Sequence, residues 1–554
     1  MTAWPPSIVH AFLASVERAP AKDCILFEGR RISFAQLLED AQRWGGALRG
    51  WGLQAGDRVA LYLENSPAFV AAYLGTHLAG GIVVPVNIQY RRVELEHILS
   101  DAEVRFCLTD APRCTELQRV LGALPALETI VLVDESGSAG IPAGDRGRET
   151  PVWREGGTVR PTWIAQEEFL AGAGDYSLEL PQPEAVALIG YTSGTTGRSK
   201  GAMLTHSNLA ANIHAVTTAW RWSADDVLLL TLPLFHVHGL CVGIHGTLYT
   251  GSTVDLRRRF DAAEVFDTLL EDHVTMFFGV PTMYVRLVAE AQRRGRRPPP
   301  IRLYVSGSAP LSVQTFEEFE RLFGQRILER YGMTETLMNM TNPYDGERRP
   351  GTVGMPFPGQ EARIVDLQTR QPILDERPGE IQVRGPHVFK GYWRNPAATA
   401  EAFDAEGWFN TGDIGWRSAD GYYTISGRAR ELIISGGYNV YPREVEEVLL
   451  AHPGVAEAAV LGLPDPDLGE QVVAVVVPRR SSPPGETGLS ADELIAFCRE
   501  NLASYKKPRR IYFMDSLPRN ALGKVQKHLL REQLMSSLSE QGGTSAYVPD
   551  QSTC

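Results

Sequence analysis

The sequence predicts an α/β fold with mostly parallel sheets, and three features of its 554 residues carry the prediction. Short apolar runs alternate with helical patterns over the first part of the chain. A texture of short strands and turns begins near Ile381, and a compact alternation of strands and helices follows Arg430. Strands that alternate with helices are typical of parallel sheets covered by helices, and the length is enough for about two to four domains.

The first elements justify this class. Their apolar patterns predict strands at Val59–Leu63, Ile82–Val86 and Phe106–Thr109, and helices at Ala68–Gly80 and Arg91–Ala102. Residues 135–182 then interrupt the rhythm with many Gly, Pro and Arg residues, which predicts a long surface excursion. Alternation resumes with a predicted strand at Val186–Ile189.

The second half of the chain predicts two further units. Turn-rich sequence from Ile381 to Gly427 indicates a β-rich subdomain. Beyond a boundary at 427–431, the pattern predicts strands at Leu432–Ile434, Ala458–Leu461 and Val472–Val477, and helices at Arg443–Ala451 and Ala491–Leu502. We therefore expect one domain at 1–429, a second at 430–535, and a disordered polar tail at 536–554.

The composition disfavours several classes of function. The chain has 54 Lys and Arg against 66 Asp and Glu, a net charge of −12, which argues against non-specific binding to nucleic acid or to an anionic membrane. Its six cysteines form no CxxC pair, so neither a disulfide framework nor a zinc knuckle is expected. No signal peptide is expected, because the N-terminus has no early basic residue and its apolar pattern predicts a short amphipathic helix. No membrane insertion is expected, because the most apolar stretch contains three histidines. We expect a cytoplasmic protein.

The stretch YTSGTTGRSKGAM at 191–203 suits phosphate binding better than a helix or a core strand. Its glycines let backbone N–H groups turn inward, its hydroxyl side chains add donors, and Lys200 adds a positive charge. Thr205 is a plausible N-cap of a helix with Leu209, Ile213 and Val216 on one face, so the loop is expected to join a strand to a helix. The general alternative for such a loop is a solvated turn.

Two other motifs overlap this loop. A Walker loop requires GxxxxGK[ST], whereas Lys200 is followed by Gly201. Residues 197–201, GRSKG, do match the GxSxG of esterases. That motif needs a strand running directly into the serine, and six loop-like residues precede Gly197. The hydrolase interpretation is therefore disfavoured.

Eight motifs, in order along the chain, resemble those of the adenylate-forming superfamily, which contains acyl-CoA synthetases, peptide-synthetase adenylation domains and luciferases. They are YTSGTTGRSKGAM, PLFHVHG (233–239), GVPTMY (279–284), SGSAPL (306–311), RYGMTET (330–336), GWFNTGDIG (407–415), GRARELIISGGYNVYPREVE (427–446) and PRNALGK (518–524). The resemblance covers nearly the whole chain. It implies a large N-terminal domain of two αβ-layered sheet subdomains plus a β-rich subdomain, followed by a small mobile α+β C-terminal domain.

The resemblance implies a reaction in two steps. A carboxylate attacks the α-phosphate of ATP to give an acyl-adenylate and pyrophosphate, and a thiol then displaces AMP. Because carboxylate and triphosphate repel each other, the site needs cations and hydrogen-bond donors around the transferring phosphorus. The implied cofactors are ATP and Mg²⁺, with CoA as co-substrate.

The resemblance also implies residue roles. ATP binding falls to Thr192, Ser193, Gly194, Thr195, Thr196, Gly197, Lys200, Ser308, Ala309, Tyr331, Gly332, Thr334, Asp413, Arg428 and Lys524. The implied catalytic residues are Lys524, Thr192, Glu335 and His236. Lys524 would bridge the α-phosphate and the attacking carboxylate, Asp413 would accept hydrogen bonds from the ribose, and Glu335 would bind Mg²⁺.

For the second step, Gly436, Gly437 and Tyr438 would line the route of the CoA thiol after the small domain rotates. The implied hinge is Arg430, where the family usually has Asp or Lys, and Glu431 follows it instead of Asp. This departure keeps rotation plausible and leaves its energetics open.

The acid is indicated by residues 330–354, RYGMTETLMNMTNPYDGERRPGTVG, which are most similar to malonyl-CoA synthetases. A dicarboxylate needs a cation for its second carboxylate, because an unpaired buried anion costs several kcal/mol. We expect Arg330 to supply that charge, with His236 assisting and Ser306 in the acid site. A structural salt bridge is the alternative for Arg330. The excursion at 135–182 and the VNIQYRR segment (86–92) depart from the malonate pattern.

Malonate or methylmalonate is thus the favoured substrate, and several alternatives stay open. They are a ligase for a medium-chain, aromatic or other acid, and a stand-alone adenylation enzyme that loads an acyl carrier protein. A luciferase-like oxygenase is disfavoured because the chain ends in STC rather than SKL. A binding protein without catalysis is least favoured, because the charged residues Lys200, Glu335, Asp413, Arg428 and Lys524 are all present. The sequence does not indicate the oligomeric state.

Overall fold

The computed structural model of the chain describes residues 4–133, 161–174, 179–192, 199–271, 273–436, 438–479, 489–520 and 523–540. The helices are α1 (Ile8–Arg18), α2 (Phe34–Gly50), α3 (Pro67–Leu78), α4 (Arg92–Asp101), α5 (Cys114–Gln118), α6 (Gln166–Ala171), α7 (His206–Ala219), α8 (His245–Thr250), α9 (Ala262–Leu270), α10 (Pro281–Arg294), α11 (Val313–Phe323), α12 (Pro396–Ala402), α13 (Pro442–Ala451), α14 (Ala491–Asn501) and α15 (Lys527–Glu540). None of them combines the length and the apolar character needed to cross a bilayer.

The strands in the described ranges form four sheets. They are β1 (Asp23–Phe27), β2 (Arg30–Ser33), β3 (Arg58–Tyr62), β4 (Ile82–Pro85), β5 (Val104–Thr109), β6 (Thr129–Leu132), β7 (Thr162–Ala165), β8 (Val186–Thr192), β9 (Lys200–Thr205), β10 (Val227–Leu230), β11 (Thr253–Leu256), β12 (Met276–Gly279), β13 (Leu303–Ser306), β14 (Leu328–Met333), β15 (Leu337–Thr341), β16 (Met355–Pro356), β17 (Glu361–Val365), β18 (Gly379–Arg384), β19 (Gly391–Tyr392), β20 (Phe409–Arg417), β21 (Tyr423–Arg428), β22 (Ile433–Ser435), β23 (Tyr438–Val440), β24 (Val455–Asp465), β25 (Gly469–Pro478) and β26 (Arg510–Phe513).

Two large sheets carry the first part of the chain. One has eight strands in the order β19-β9-β8-β4-β3-β5-β6-β7, and the other has nine in the order β16-β15-β14-β13-β12-β10-β11-β1-β2. Their central strands are parallel, as the alternation of strands and helices predicts. The sheet β17-β18-β20-β21 is antiparallel and forms the β-rich subdomain. The predicted fold class is confirmed in these three units.

The main core lies where helices α2 and α3 pack together against the sheets. Their contact is close because α3 presents Gly75 to α2. A Cβ atom on Gly75 would lie 2.6 Å from the Cβ of Trp44 and 2.7 Å from the carbonyl oxygen of Ala41, both inside van der Waals contact. Trp44 and the neighbouring Tyr73 are among the largest fully buried side chains, so this crossing anchors the N-terminal domain.

The predicted surface excursion at 135–182 is wrong for part of its length. β7 is the edge strand of the eight-stranded sheet, and Trp163 and Ile164 on it are buried. Phe169 on α6 is fully buried and packs on Trp44 and Trp51. A short apolar strand was hidden among glycines and prolines, while residues 134–160 and 175–178 of the excursion lie outside the described residues.

The C-terminal domain is a small α+β unit, as predicted. Strands β23-β22-β25-β24 form its sheet, with β26 added parallel to β25. Its core lies between this sheet and helices α13 and α14. Helix α15 continues to Glu540, so the expected disordered tail is wrong for residues 536–540. Residues 541–554 lie outside the described residues.

Candidate active site

The predicted phosphate loop lies between two strands, not between a strand and a helix. β8 ends at Thr192, β9 begins at Lys200, and the antiparallel register pairs these two residues. Helix α7 starts only after β9, with Thr205 as its N-cap as predicted. The predicted ATP-binding residues Ser193, Gly194, Thr195, Thr196 and Gly197 lie outside the described residues.

Lys200 and Glu335 both lie against the side chain of Tyr392. The Nζ atom of Lys200 is 5.1 Å from the centroid of Tyr392, and the Tyr392 hydroxyl donates to Oε1 of Glu335 at 3.1 Å. Burial raises the pKa of Glu335, and the Tyr392 hydrogen bond opposes that effect. A buried carboxylate whose charge is disfavoured in this way fits a divalent cation, which would restore the ionised form.

Tyr392 is a site residue that the sequence motifs did not reveal. It lies on the two-residue strand β19, which pairs with β9 and so reaches the end of the phosphate loop. The pairing joins residues almost two hundred positions apart, and nothing in the local sequence GYWR announces it.

A second cluster joins Tyr331, Asp413 and Arg428. The Tyr331 hydroxyl donates to Oδ2 of buried Asp413, and Nε of Arg428 lies 2.6 Å from Oδ1. The register of β20 and β21 places Asp413 opposite Arg428. The Asp413 charge raises the pKa of Arg428, the largest influence on it. A ribose diol bound here would compete with two protein donors for the carboxylate.

The turn that carries Thr334 and Glu335 is shaped by a β-bulge. The register between β14 and β15 shifts at Tyr331 and Gly332, and a Cβ on Gly332 would lie 1.9 Å from the carbonyl oxygen of Leu337. Only glycine fits that approach. The methyl group of Thr334 packs on Gly190 of β8, where a Cβ would come within 2.6 Å of it. These contacts hold the turn beside the phosphate loop.

Arg330 is a buried cation without an ion-pair partner among the described residues. It is 3% exposed, its Nη2 lies 3.3 Å from Oγ of Ser308, and its Nε has no hydrogen-bond partner. Burial lowers its pKa to about 9. A Cβ on Gly307 would lie 2.5 Å from the guanidinium, so that glycine makes room for it. The alternative of a structural salt bridge for Arg330 is therefore not what this geometry shows.

Two histidines extend the chain of polar groups from Arg330. Nδ1 of His238 lies 3.3 Å from Oγ of Ser308, and its Nε2 has no hydrogen-bond partner in the described part of the chain. Burial lowers the pKa of His236 to about 3, and the charges of Arg330 and Lys524 add to that effect. A neutral His236 offers a hydrogen bond and no charge, so its predicted help with a second carboxylate is limited to hydrogen bonding.

Ser306 does not join this cluster. Its Oγ is buried without a hydrogen-bond partner, but the parallel register of β13 and β14 pairs Ser306 with Glu329. Paired residues point to one face of a sheet and the next residue to the other, so Ser306 and Arg330 lie on opposite faces. A place for Ser306 in the acid site stays a prediction.

Lys524 brings the C-terminal domain to this site. It lies on a tight turn in which its N–H donates to Oδ1 of Asn520 at 3.0 Å, and Gly523 has a φ of 73°. A Cβ on Gly523 would lie 2.8 Å from Oγ1 of Thr282, so the turn rests on the start of α10. Lys524 remains solvent-accessible, yet desolvation and then the Arg428 charge lower its pKa. The Lys524 charge also lowers the pKa of His236.

Comparison with known proteins identifies the family. The AMP-binding enzyme model matches residues 12–393, and the AMP-binding enzyme C-terminal domain model matches residues 444–524. This chain is an adenylate-forming acyl-CoA synthetase. The family prediction made from the motifs is confirmed.

Individual relatives of this synthetase have different acids in their names. It is 35% identical to a malonate–CoA ligase of Arabidopsis thaliana over 531 residues, 91% of this chain and 83% of the relative. It is 34% identical to a long-chain-fatty-acid–CoA ligase of Bacillus subtilis over 536 residues, 94% and 93% of the two chains. The crystal structure of ATP-bound MatB from Rhodopseudomonas palustris matches with a TM-score of 0.84 and 37% identity, covering 95% of this chain and 98% of that one.

The predicted CoA residues of the synthetase lie apart from Lys524. Gly436 has a φ of 58° and donates its N–H to the carbonyl of Leu468 at 2.9 Å, while Tyr438 is 58% exposed and stacks on Tyr505. They line a cavity of about 210 Å³ whose other walls include the cations Lys507 and Arg509, and every lining residue belongs to the C-terminal domain. Gly437 lies outside the described residues, and the predicted hinge Arg430 lies in an exposed 3₁₀ turn.

Proposed function

We propose that this synthetase joins malonate, or malonate with a small substituent, to CoA at the expense of ATP. Similarity to relatives does not choose the acid, because a malonate ligase and a long-chain ligase are almost equally close. One observation carries the choice. Arg330 is a buried cation with no ion-pair partner among the described residues, and the charges of Arg330 and Lys524 both lower the pKa of His236.

Those two cations match the two ends of a short diacid. The carboxylate that attacks the α-phosphate would lie toward Lys524, and the second carboxylate toward Arg330. Pairing with that carboxylate offsets the cost of burying the guanidinium. An acyl chain or an aromatic ring in the same place would leave the buried cation unpaired, which is unfavourable.

The first step depends on lowering the repulsion between acid and ATP. Lys200 and the backbone of its loop would receive the outer phosphates, and Lys524 would hold the α-phosphate against the acid. Mg²⁺ held by Glu335 would neutralise phosphate charge. Asp413 would bind the ribose, and Tyr331 would lie against the adenine. His236, neutral at pH 7, would donate a hydrogen bond to the acid without adding charge.

The second step requires the C-terminal domain to move. Lys524 would occupy the approach to the acid, whereas the cavity beside Tyr438, which would admit CoA, is lined by other residues of that domain. Rotation about Arg430 would withdraw the lysine and present the glycine-rich segment at 436–437 to the thiol. CoA is the proposed acceptor.

The test is pyrophosphate release with ATP, Mg²⁺ and a panel of malonate, methylmalonate, acetate, benzoate and octanoate, each with and without CoA. We expect malonate or methylmalonate to give the highest kcat/KM, and acyl-CoA to appear only with CoA. Preference for octanoate or benzoate would refute the choice of acid and leave the chemistry standing. If pyrophosphate release depends on the acid but no thioester forms when CoA is added, a carrier-protein acceptor would be indicated instead.

A further inference from the structure

The backbone on both sides of Lys200 is held by groups that are distant in the sequence. Nε2 of His97 on α4 donates to the carbonyl oxygen of Ser199 at 2.8 Å, one residue before the lysine. The backbone N–H of Trp393, which follows β19, donates to the carbonyl oxygen of Gly201 at 2.7 Å, one residue after it. The main chain at Lys200 is therefore fixed from both directions by hydrogen bonds that its own hairpin does not supply.

Asp101, one helical turn beyond His97, makes two further hydrogen bonds to the same region. Its Oδ2 accepts a hydrogen bond from the Tyr191 hydroxyl at 2.6 Å, and its backbone carbonyl accepts one from the indole N–H of Trp393 at 3.0 Å. Burial and then the Asp101 hydrogen bond raise the pKa of Tyr191, so the hydroxyl keeps its proton and is the donor. Residues four apart lie on one face of a helix, so one face of α4 reaches both strands of the hairpin and Trp393.

Gly201 allows these parts to come together. The register of β8 and β9 pairs Gly201 with Tyr191. A Cβ on Gly201 would lie 3.1 Å from Cζ of Tyr191 and 3.3 Å from the Cβ of Trp393, closer than most Cβ contacts in proteins. The absence of a side chain at position 201 thus lets both aromatic residues pack against the main chain beside Lys200.

The end of α4 that carries Asp101 is itself attached to the eight-stranded sheet. Arg58 of β3 donates from Nε to the carbonyl of Ala102 at 2.6 Å, and from Nη2 to the carbonyl of Glu103 at 2.8 Å. Its guanidinium carbon also lies 5.5 Å from the centroid of the Trp393 ring. Basic side chains commonly satisfy the free carbonyls at a helix C-terminus, and here the interaction ties α4 to the centre of the sheet.

We propose that α4 positions Lys200 for the outer phosphates of ATP. The residues of this α4 clamp are His97, Asp101, Tyr191 and Trp393. A lysine is a point charge on a flexible stem, so the place of its ammonium group depends on where its main chain is held. His97 and Asp101 are positioning residues, because each acts on Lys200 through another residue. The inference rests on the proposed role of Lys200 in binding those phosphates.

The test compares ligands that carry the outer phosphates with ligands that lack them. The full-length protein is titrated by calorimetry with MgATP, with magnesium pyrophosphate and with AMP, and thioester formation from supplied acyl-AMP and CoA is measured on the same preparations. His97→Leu removes the donor to the Ser199 carbonyl. We expect the Kd for MgATP and for pyrophosphate to rise about tenfold, the effect of one lost hydrogen bond, and the Kd for AMP and the rate of thioester formation to change by less than about twofold.

Further variants separate positioning from a general loss of structure. His97→Gln, whose amide N–H can replace the Nε2–H, should restore most of the affinity for MgATP. Tyr191→Phe and Asp101→Leu should each weaken MgATP binding, and the double variant should be no weaker than the weaker single variant, because the two residues share one hydrogen bond. Glu96→Gln removes an exposed carboxylate next to His97, 3.9 Å from Arg92, and should bind all three ligands like the wild type.

Two results would overturn the clamp. One is an unchanged affinity for MgATP and pyrophosphate in His97→Leu and Tyr191→Phe. The other is an equal loss of affinity for MgATP and AMP, which would show that the variants damage the fold of the site as a whole. A wild-type protein that binds MgATP but releases no pyrophosphate with any acid would instead refute the proposed function, and the binding comparison would still decide whether the clamp exists.

Discussion

Substituting Arg330 should separate the recognition of a dicarboxylate from that of a simple acid. In Arg330→Met the second carboxylate of malonate would enter a buried site without a cation, and leaving a buried charge unpaired costs about 3–5 kcal/mol. That loss corresponds to a fall in kcat/KM for malonate of roughly 10²- to 10³-fold or more. Acetate has no second carboxylate, so its kcat/KM should change by no more than a few-fold.

The same substitution should make the protein more stable. Burial lowers the pKa of Arg330 from 12.5 to about 9. At ~1.4 kcal/mol for each tenfold change in an ionisation constant, keeping the cation buried costs ~5 kcal/mol at most. Losing the single hydrogen bond to Ser308 would offset only about 1 kcal/mol of the stability gained by removing the buried cation. Arg330→Met should therefore raise the free energy of unfolding measured with urea.

Arg302 supplies a matched control. It is also partly buried, but it forms an ion pair with buried Asp226, with Nε 2.7 Å from Oδ1. Arg302→Met should lower the free energy of unfolding and leave the ratio of kcat/KM for malonate and acetate unchanged. The prediction is tested by pyrophosphate release with both acids and by urea unfolding of both variants. Equal losses for malonate and acetate in Arg330→Met, or a fall in its stability, would refute the reasoning.

Three further changes test other parts of the site and fold. Lys524→Ala should reduce ATP–pyrophosphate exchange far more than thioester formation from supplied acyl-AMP, and equal losses would contradict the role of the lysine. Gly332→Ala should lower stability and activity together, because its Cβ would collide with the Leu337 carbonyl oxygen. If the variant unfolds in urea like the wild type, the bulge tolerates a side chain. His77, whose pKa burial lowers to about 4, is protonated in the unfolded chain below pH ~6.5 but stays neutral in the folded protein down to about pH 4. The wild type should thus lose up to ~3 kcal/mol more stability than His77→Gln as the pH falls through that range, and parallel pH–stability curves would count against this.

The regular part of the fold could be predicted because its strands and helices are strongly patterned. β3, α3, β4, α4 and β5 lie within two residues of their predicted limits, since continuous apolar runs bounded by turn residues leave few choices. β7 and β9 were missed for the opposite reason. Each is a short strand next to glycine-rich sequence, and its strand conformation comes from pairing with a neighbour already in the sheet.

The residues of the site show the same contrast between what a sequence pattern reveals and what only strand pairing reveals. Residues inside ordered motifs, such as Asp413, Arg428 and Lys524, could be picked out from the sequence, and the structure brings them within reach of one another. Tyr392 could not, because it reaches Glu335 only through the β9–β19 pairing. The same holds for Arg443 on α13, which donates a hydrogen bond to the carbonyl of Ile425 across the domain boundary.

Strand β14 places two neighbouring charged residues on opposite faces of its sheet. Side chains alternate between the faces of a strand, so Glu329 points with Ser306 to one side of the sheet and Arg330 to the other. On the second face, Nη2 of Arg330 lies 3.3 Å from Oγ of Ser308, and that oxygen lies 3.3 Å from Nδ1 of His238. A slip of one residue would exchange the two charges. The bulge at Tyr331 and Gly332 follows both residues, so it can redirect the chain toward Glu335 without disturbing that alternation. The order of charges along β14 is thus a constraint on the proposed choice of acid.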